Sequence, residues 1–193
     1  MKKALIFFLF NISQLIAFEK LESDYLVYYG NTNAPVKIIQ YYSFTCPHCV
    51  ALFRREFQQI KADFIDTGKI SWVFHPVPMD LLTVQAMDCL QKLPFREKKI
   101  FLEAILEEVL IDNPKLSASF LQKAMEVLGI PIPNLQDKGY LGETKAFHDS
   151  FQFLKQEDTM DVVPCVEVNG TFIPAQVPDV AFIEGILSEM RQL

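Results

Sequence analysis

The stretch Tyr41-Tyr42-Ser43-Phe44-Thr45-Cys46-Pro47-His48-Cys49-Val50 decides the reading of this 193-residue chain, because it joins two local patterns across a pair of cysteines. Ahead of the cysteines, Val36 to Ser43 is rich in Ile38, Ile39, Tyr41 and Tyr42 and apolar on both faces, as a central β-strand is. Behind them, Val50, Phe53, Phe57, Ile60 and Phe64 step by three and four, the spacing of one buried helical stripe, and Gly68 supplies a C-terminal stop. Cys46 and Cys49 therefore fall at the carboxyl end of a strand and in the first turn of a helix. Backbone N–H groups and the positive end of the helix favour a thiolate there. Pro47 takes the first helical position, where its missing N–H costs nothing. A nucleophilic thiolate needs a second thiol within reach to resolve a mixed disulfide, and Cys49 fits that part. His48 adds positive charge or a hydrogen bond. If Cys46 ionised near pKa ~4, the reduced form would gain roughly 4 kcal/mol, or on the order of 90 mV of oxidising power. The pair reads as redox chemistry, and Pro47 with His48 points toward a donor of disulfides.

Half of the residues are hydrophobic, enough for a sizeable core in one domain or one domain with an insertion. The start, Met1-Lys2-Lys3, then the apolar run Ala4 to Phe10 and a stretch ending at Leu15-Ile16-Ala17, has the charged-then-apolar grammar of a secretory signal. The run is too short to span a bilayer comfortably. Residues 1–17 are read as that signal, with cleavage after Ala17 and an uncleaved anchor as the alternative. Its removal takes Lys2 and Lys3 and no acid from a chain of net charge −6, giving −8. With no basic patch to neutralise phosphates, nucleic acid is not an expected partner.

Outward from the cysteines, residues 19 to 34 read as a polar lead-in with a turn at Asn31-Thr32-Asn33-Ala34-Pro35. Ile70 to Phe74 reads as a second strand, ended by the prolines of His75-Pro76-Val77-Pro78. From about Asp80 to Asp158 the pattern is helical only, broken near Pro94, at Asn113-Pro114 and between Gly129 and Gly139. Within it Ile100, Phe101, Ala104, Ile105 and Leu106 to Leu110 suggest a strongly buried helix. Ser117 caps another through Phe120, Leu121, Ala124 and Leu128, and a last helix carries Phe147, Phe151 and Leu154. Strand grammar returns at Cys165 to Val168, with Asn169-Gly170 as a type I′ turn and Thr171 to Ile173 as the return strand. Pro178-Asp179 opens a final helix with Phe182, Ile183, Ile186 and Leu187 inward. The order predicts an α/β fold with a four-stranded mixed sheet: residues 18–79 and 159–193 form one discontinuous domain, and 80–158 an inserted helical cap.

These residues resemble the thioredoxin superfamily, and more narrowly its DsbA-like thiol:disulfide oxidoreductases. The features are Cys46-Pro47-His48-Cys49 after Tyr42-Ser43-Phe44-Thr45, the helical insertion, and Val162-Val163-Pro164 leading into Val166-Glu167-Val168-Asn169-Gly170. The resemblance implies a thioredoxin-like fold in which Pro164 is cis and faces the disulfide, with Val163 offering backbone contacts to a bound peptide. It also implies reduced or unfolded exported proteins as clients, a membrane quinone-linked partner for reoxidation, and a periplasmic location. Two positions depart from the family. Gln40 stands where a buried acid is usual, six residues before Cys46, and Cys165 follows the proline where a small or hydroxyl residue is commoner.

Other readings of the same residues are blander. A structural zinc corner at Cys46/Cys49 needs a second local ligand pair, which the sequence lacks, so no metal is assigned. Cys89 and Cys165 read equally as buried small hydrophobes or as a second disulfide, with redox regulation by Cys165 a third possibility. His75 and His148 are assigned no role, and Arg96-Glu97-Lys98-Lys99 reads as a solvated helical turn. The resulting expectation is a monomeric, exported dithiol oxidase without cofactor, in which Cys46 is attacked, Cys49 resolves, His48 stabilises the thiolate and Val163-Pro164 positions the client. A reductase or isomerase, and a non-catalytic envelope protein using the pair as a staple, are the alternatives.

Overall fold

The computed structural model describes residues 25–108, 117–131, 135, 143–156 and 162–191. Residues 1–17, read above as a leader, the break at Asn113-Pro114, Gly139 and the boundary near Asp158 lie outside them. Five strands form one mixed sheet in the order β1-β3-β2-β4-β5: β1 Val27–Tyr29, β2 Val36–Tyr42, β3 Ile70–Pro76, β4 Cys165–Val168 and β5 Thr171–Ile173. β2 runs parallel to β3, with Ile38 opposite Trp72 and Gln40 opposite Phe74, and antiparallel to β4, with Tyr41 opposite Cys165.

The expected four-strand sheet gains β1, which lies within the stretch read as a polar lead-in. Its three residues pair antiparallel with β3, Val27 opposite Phe74 and Tyr29 opposite Trp72. Three residues are too few for a period to show, and the partner strand supplies what their own pattern lacks. β3 also runs two residues beyond Phe74, through His75 and Pro76; at Pro76, aligned with Tyr42 at the end of the ladder, no donor is needed.

The helix after the cysteines, α1 (Pro47–Leu52), continues through a π-helical turn at Phe53–Phe57, a short α stretch Gln58–Ile60 and a second π turn Lys61–Ile65. Its stripe is buried as the spacing predicts: Val50, Phe53, Phe57, Ile60 and Phe64 are all inside. Gly68 ends it at φ 74°, a conformation glycine adopts without steric cost. The stripe lies on the sheet through aromatic edges, with Phe57 4.9 Å from Phe74 and 5.8 Å from Trp72, and Tyr42 5.0 Å from Phe44. Full burial of each such ring contributes about 1.5–3 kcal/mol, and offset ring pairs add to it. This aromatic floor fixes α1 against β2 and β3, and so fixes where the cysteines stand.

Between β3 and β4 the described elements are helices alone: α2 (Leu81–Lys92), α3 (Phe95–Glu108), α4 (Ala118–Val127) and α5 (Lys145–Gln156). Ser117 caps α4, its Oγ accepting from the Phe120 N–H at 3.2 Å. In α3 the buried residues are Phe101, Leu102, Ile105 and Leu106, whereas Ile100 is 56 % exposed and Ala104 also faces out. The expectation for Ile100 and Ala104 fails because the inner stripe of α3 starts one residue later and passes to either side of Ala104. Val109 and Leu110 lie outside the described residues, as do the side chains of Phe151 and Leu154. Phe147 is 39 % exposed. Asn169 and Gly170 both have positive φ, as a type I′ hairpin turn requires, and Asp179 caps α6 (Val180–Met190) by accepting from the Phe182 N–H. Ile183 is the fully buried residue of α6, with Phe182, Ile186 and Leu187 packed against the core.

Candidate active site

Cys46 is the N-cap residue of α1, with extended backbone (φ −78°, ψ 115°), and Pro47 follows as the first helical residue. Its Sγ accepts from the Cys49 N–H at 3.4 Å and, as a thiol, donates to the Val163 carbonyl at 3.5 Å. The Val163–Pro164 peptide is cis and stands against this sulfur. Cys46 is half-buried, Cys49 is 2 % exposed, and His48 lies on the outer side of the helix. The structure thus brings Cys46, Pro47, His48, Cys49, Val163 and Pro164 to one end of the sheet. All four cysteines are free thiols, and Cys89 and Cys165 are fully buried. The second disulfide offered as an alternative is not formed: Cys89 sits in α2, and the Cys165 Sγ donates to the Val162 carbonyl at 2.7 Å.

The two sulfurs are driven apart electrostatically. Cys46 is lowered from 9.0 to about 6, chiefly by the hydrogen bond from the Cys49 side chain; burial opposes, and the backbone amides of Cys49 and His48 then add to the lowering. The His48 ring charge contributes least. Cys49 is pushed far upward, first by burial, then by its bond to Cys46 and that sulfur's charge, and also by Cys165; the Ser43 backbone amide pulls the other way. A proton leaving the pair leaves from Cys46, and the resulting thiolate is the more exposed of the two. A value near 6 rather than ~4 reflects the burial that opposes the lowering by the Cys49 side chain and the backbone amides. The exposed imidazole is a weaker stabiliser than its position in the sequence suggests.

Gln40 is buried on the sheet under α1, and its Oε1 has no hydrogen-bond partner. The residues that sequence reasoning missed lie behind Cys46. Asp80, the N-cap residue of α2, accepts from Ser43 Oγ at 2.9 Å, Thr45 Oγ1 at 2.6 Å and Thr83 Oγ1 at 2.8 Å. The Asp80-Leu81-Leu82-Thr83 spacing marks a helix start, but nothing in it shows a contact to Ser43 and Thr45. Beside His48, a groove of about 160 Å³ is lined by Ala51, Leu52, Arg55, Glu56, Val177 and Asp179. Glu56 is engaged at its wall, its Oε2 accepting from the Val180 N–H at 2.9 Å.

Comparison with known proteins agrees with this geometry. A Rickettsia bellii protein named "Putative protein-disulfide oxidoreductase" is 34% identical over 58 residues, 30% of this chain and 22% of that protein. A Rickettsia prowazekii protein of the same description is 41% identical over 44 residues, 23% of this chain and 16% of the relative. The chain thus aligns with about a fifth of the length of these curated relatives. Among solved structures, Wolbachia pipientis alpha-DsbA1 superposes with a TM-score of 0.64 at 20% identity, covering 88% of this chain and 91% of that one. Chlamydia trachomatis DsbA superposes at 0.63 with 21% identity, covering 88% and 93%. At these identities the likeness establishes a shared fold: a thioredoxin-like α/β architecture with helices inserted before the final strands. The family model described as Thioredoxin matches residues 22–128, more than half of the sequence, and the chain belongs to that family.

Proposed function

We propose that the protein is an exported thiol:disulfide oxidoreductase that donates the Cys46–Cys49 disulfide to reduced client proteins. The observation that carries this reading is the asymmetry of the pair: a half-buried sulfur lowered to about 6 at a helix N-terminus, bonded to a buried thiol pushed the other way. In the oxidised protein a client thiolate attacks Cys46 Sγ, the Cys46–Cys49 bond breaks, and Cys49 leaves with the electron pair and takes up a proton. A second client thiolate then attacks the client sulfur of the mixed disulfide and releases Cys46 as the stabilised thiolate. The client gains one disulfide and the protein two reduced sulfurs. The Val163 backbone, 3.5 Å from Cys46 Sγ, is where a client strand would align, and the groove beside His48 has room for one client side chain. The charged-then-apolar pattern of residues 1–17 supports a leader and export to the periplasm, where reduced exported proteins would be the clients. By family resemblance a membrane quinone-linked partner would reoxidise the pair. The chemistry needs no cofactor.

Reduction of client disulfides is the second reading, favoured by the modest lowering of Cys46 to about 6. Oxidative refolding of a reduced client and reduction of insulin, each with the wild type and Cys46→Ser, test both. Refolding activity lost in Cys46→Ser supports the proposal. Wild-type insulin reduction without oxidative refolding supports the reductase, and activity unchanged in Cys46→Ser removes the catalytic role of that sulfur.

A further inference from the structure

Asp80 does more than a helix cap requires. The cap is complete with Oδ1, which accepts from the Thr83 N–H at 2.9 Å. Oδ2 takes three hydroxyls, and two of them, Ser43 Oγ and Thr45 Oγ1, belong to the turn that leads into Cys46, 37 and 35 residues away in sequence. Ser43 Oγ also lies 2.9 Å from both Thr45 Oγ1 and Thr83 Oγ1, so the three hydroxyls and the carboxylate form one connected cluster. Ser43 Oγ accepts in addition from the Thr45 N–H at 3.1 Å. Burial opposes ionisation of Asp80, but the bonds from Thr45, Thr83 and Ser43 outweigh it and hold the carboxyl below its ordinary value, so an anion anchors the cluster.

Ser43 is the hub. Its carbonyl accepts from the Cys46 N–H at 3.3 Å, its backbone amide bears on the Cys49 sulfur, and its hydroxyl is tied to Asp80. Ser43 and Thr83 are buried, so none of these bonds has a ready substitute in water. We propose that Asp80 is a positioning residue for the dithiol step, holding through Ser43 and Thr45 the turn on which both sulfurs depend. The inserted helices thereby set the geometry of the redox pair and are more than a cover over it. This rests on Cys46 and Cys49 being the reacting pair. The step affected is the one in which Cys49 attacks or leaves Cys46, because the turn held by Ser43 and Thr45 carries Cys46, whose Sγ meets the Cys49 N–H at 3.4 Å.

The test uses Asp80→Asn, which keeps the volume and a capping oxygen but turns an NH₂ toward the three hydroxyl oxygens, and Ser43→Ala, which keeps the Ser43 amide and removes its tie. Reduced protein is mixed with glutathione disulfide, quenched with acid, alkylated and resolved by mass. Cys46 first attacks, forming Cys46–glutathione and releasing one glutathione thiolate. Cys49 then loses its proton, attacks the Cys46 sulfur and releases the second glutathione, so that two thiols are oxidised and one disulfide is reduced. In both variants the second step should slow about tenfold while the first stays within about twofold, and mixed disulfide should accumulate. The double variant should be no slower than the slower single variant, since both break one tie. A folded Asp80→Asn with both steps at wild-type rates overturns the proposal. So does a faster first step alone, which would mean simple charge repulsion, or losses that multiply in the double variant. If Asp80→Asn fails to fold, Ser43→Ala decides by the same rates. A wild type that forms no internal disulfide refutes the reading of the pair itself, a different result from any of these.

Discussion

Moving the pH through the Cys46 titration changes how many protons accompany each disulfide exchanged, and that number is readable as a slope. With Cys46 at about 6 and Cys49 far above, reduction takes up two protons below that pH and one above it. The midpoint potential should fall by about 59 mV per pH unit on the acid side and about 30 mV per unit on the other. At pH 7 a thiol of pKa about 6 is roughly nine-tenths ionised, against about one part in a hundred at its ordinary 9.0. The reduced protein gains from this at most about 1.4 kcal/mol, or about 30 mV, and solvent screening of a half-buried sulfur trims the figure further. Equilibration with a thiol–disulfide buffer at steps from about pH 5 to about pH 8, with acid quench and alkylation, gives the potentials, and thiolate ultraviolet absorbance gives the titration independently. His48→Ala should move the break only slightly, since the imidazole is the smallest contribution; Cys49→Ala has no disulfide to equilibrate, and its thiolate absorbance alone should show Cys46 titrating clearly higher because the largest contribution is lost. A single slope of about 59 mV across the range would mean that Cys46 titrates as a free thiol, and the reasoning would fail.

Two further outcomes are expected. In the native reduced protein an alkylating reagent should modify Cys46 well before Cys49, Cys89 or Cys165; after oxidation and denaturation two thiols, Cys89 and Cys165, should still be titratable, and none remaining would refute their placement as free buried cysteines. Buried His75, whose Nδ1–H donates to the Pro76 carbonyl at 3.1 Å, is lowered by burial from 6.5 to about 4. Its neutral form is favoured in the fold while the unfolded chain binds the proton more readily, so stability from this group is full above pH 6.5 and is lost as pH falls toward 4, by up to about 3 kcal/mol. Urea unfolding at several pH values should show His75→Phe lacking this part of the acid sensitivity; identical pH dependence in both proteins would refute it.

What could be seen in the sequence was whatever obeys a local period or a local steric rule. The stripe from Val50 to Phe64 survives the two π turns because its residues remain on the inner side, although nothing in the spacing announces a π turn. Asn169-Gly170 is legible because positive φ at both positions is a property of those two residues. β1 was hidden because three residues become a strand only through β3. Ile100 misled because apolar character says nothing about which side of α3 it occupies. At the site the cysteines and Pro47 stand out by residue type and spacing, whereas Pro164 is picked out by the family resemblance alone. The Asp80–Ser43 tie could not, since it joins ordinary polar residues that only the folded sheet and α2 bring together. The Cys46 acidity was half legible: the second thiol and the helix-start amides show in the pattern, while the burial opposing them belongs to the tertiary structure.

The central strand β2 pairs with β3 nearby in the chain and with β4 more than a hundred residues later, and the carbonyl that meets Cys46 arrives 117 residues after it. Such high contact order delays assembly. Under the proposed function, a growing or partly unfolded chain presents two adjacent thiols without the Val163 backbone beside them, able to undergo nonspecific exchange but not to align a client. Alignment would then be gained only when the last third of the chain closes the sheet, and the molecule's own folding would be the step that separates indiscriminate thiol reactivity from the selective kind.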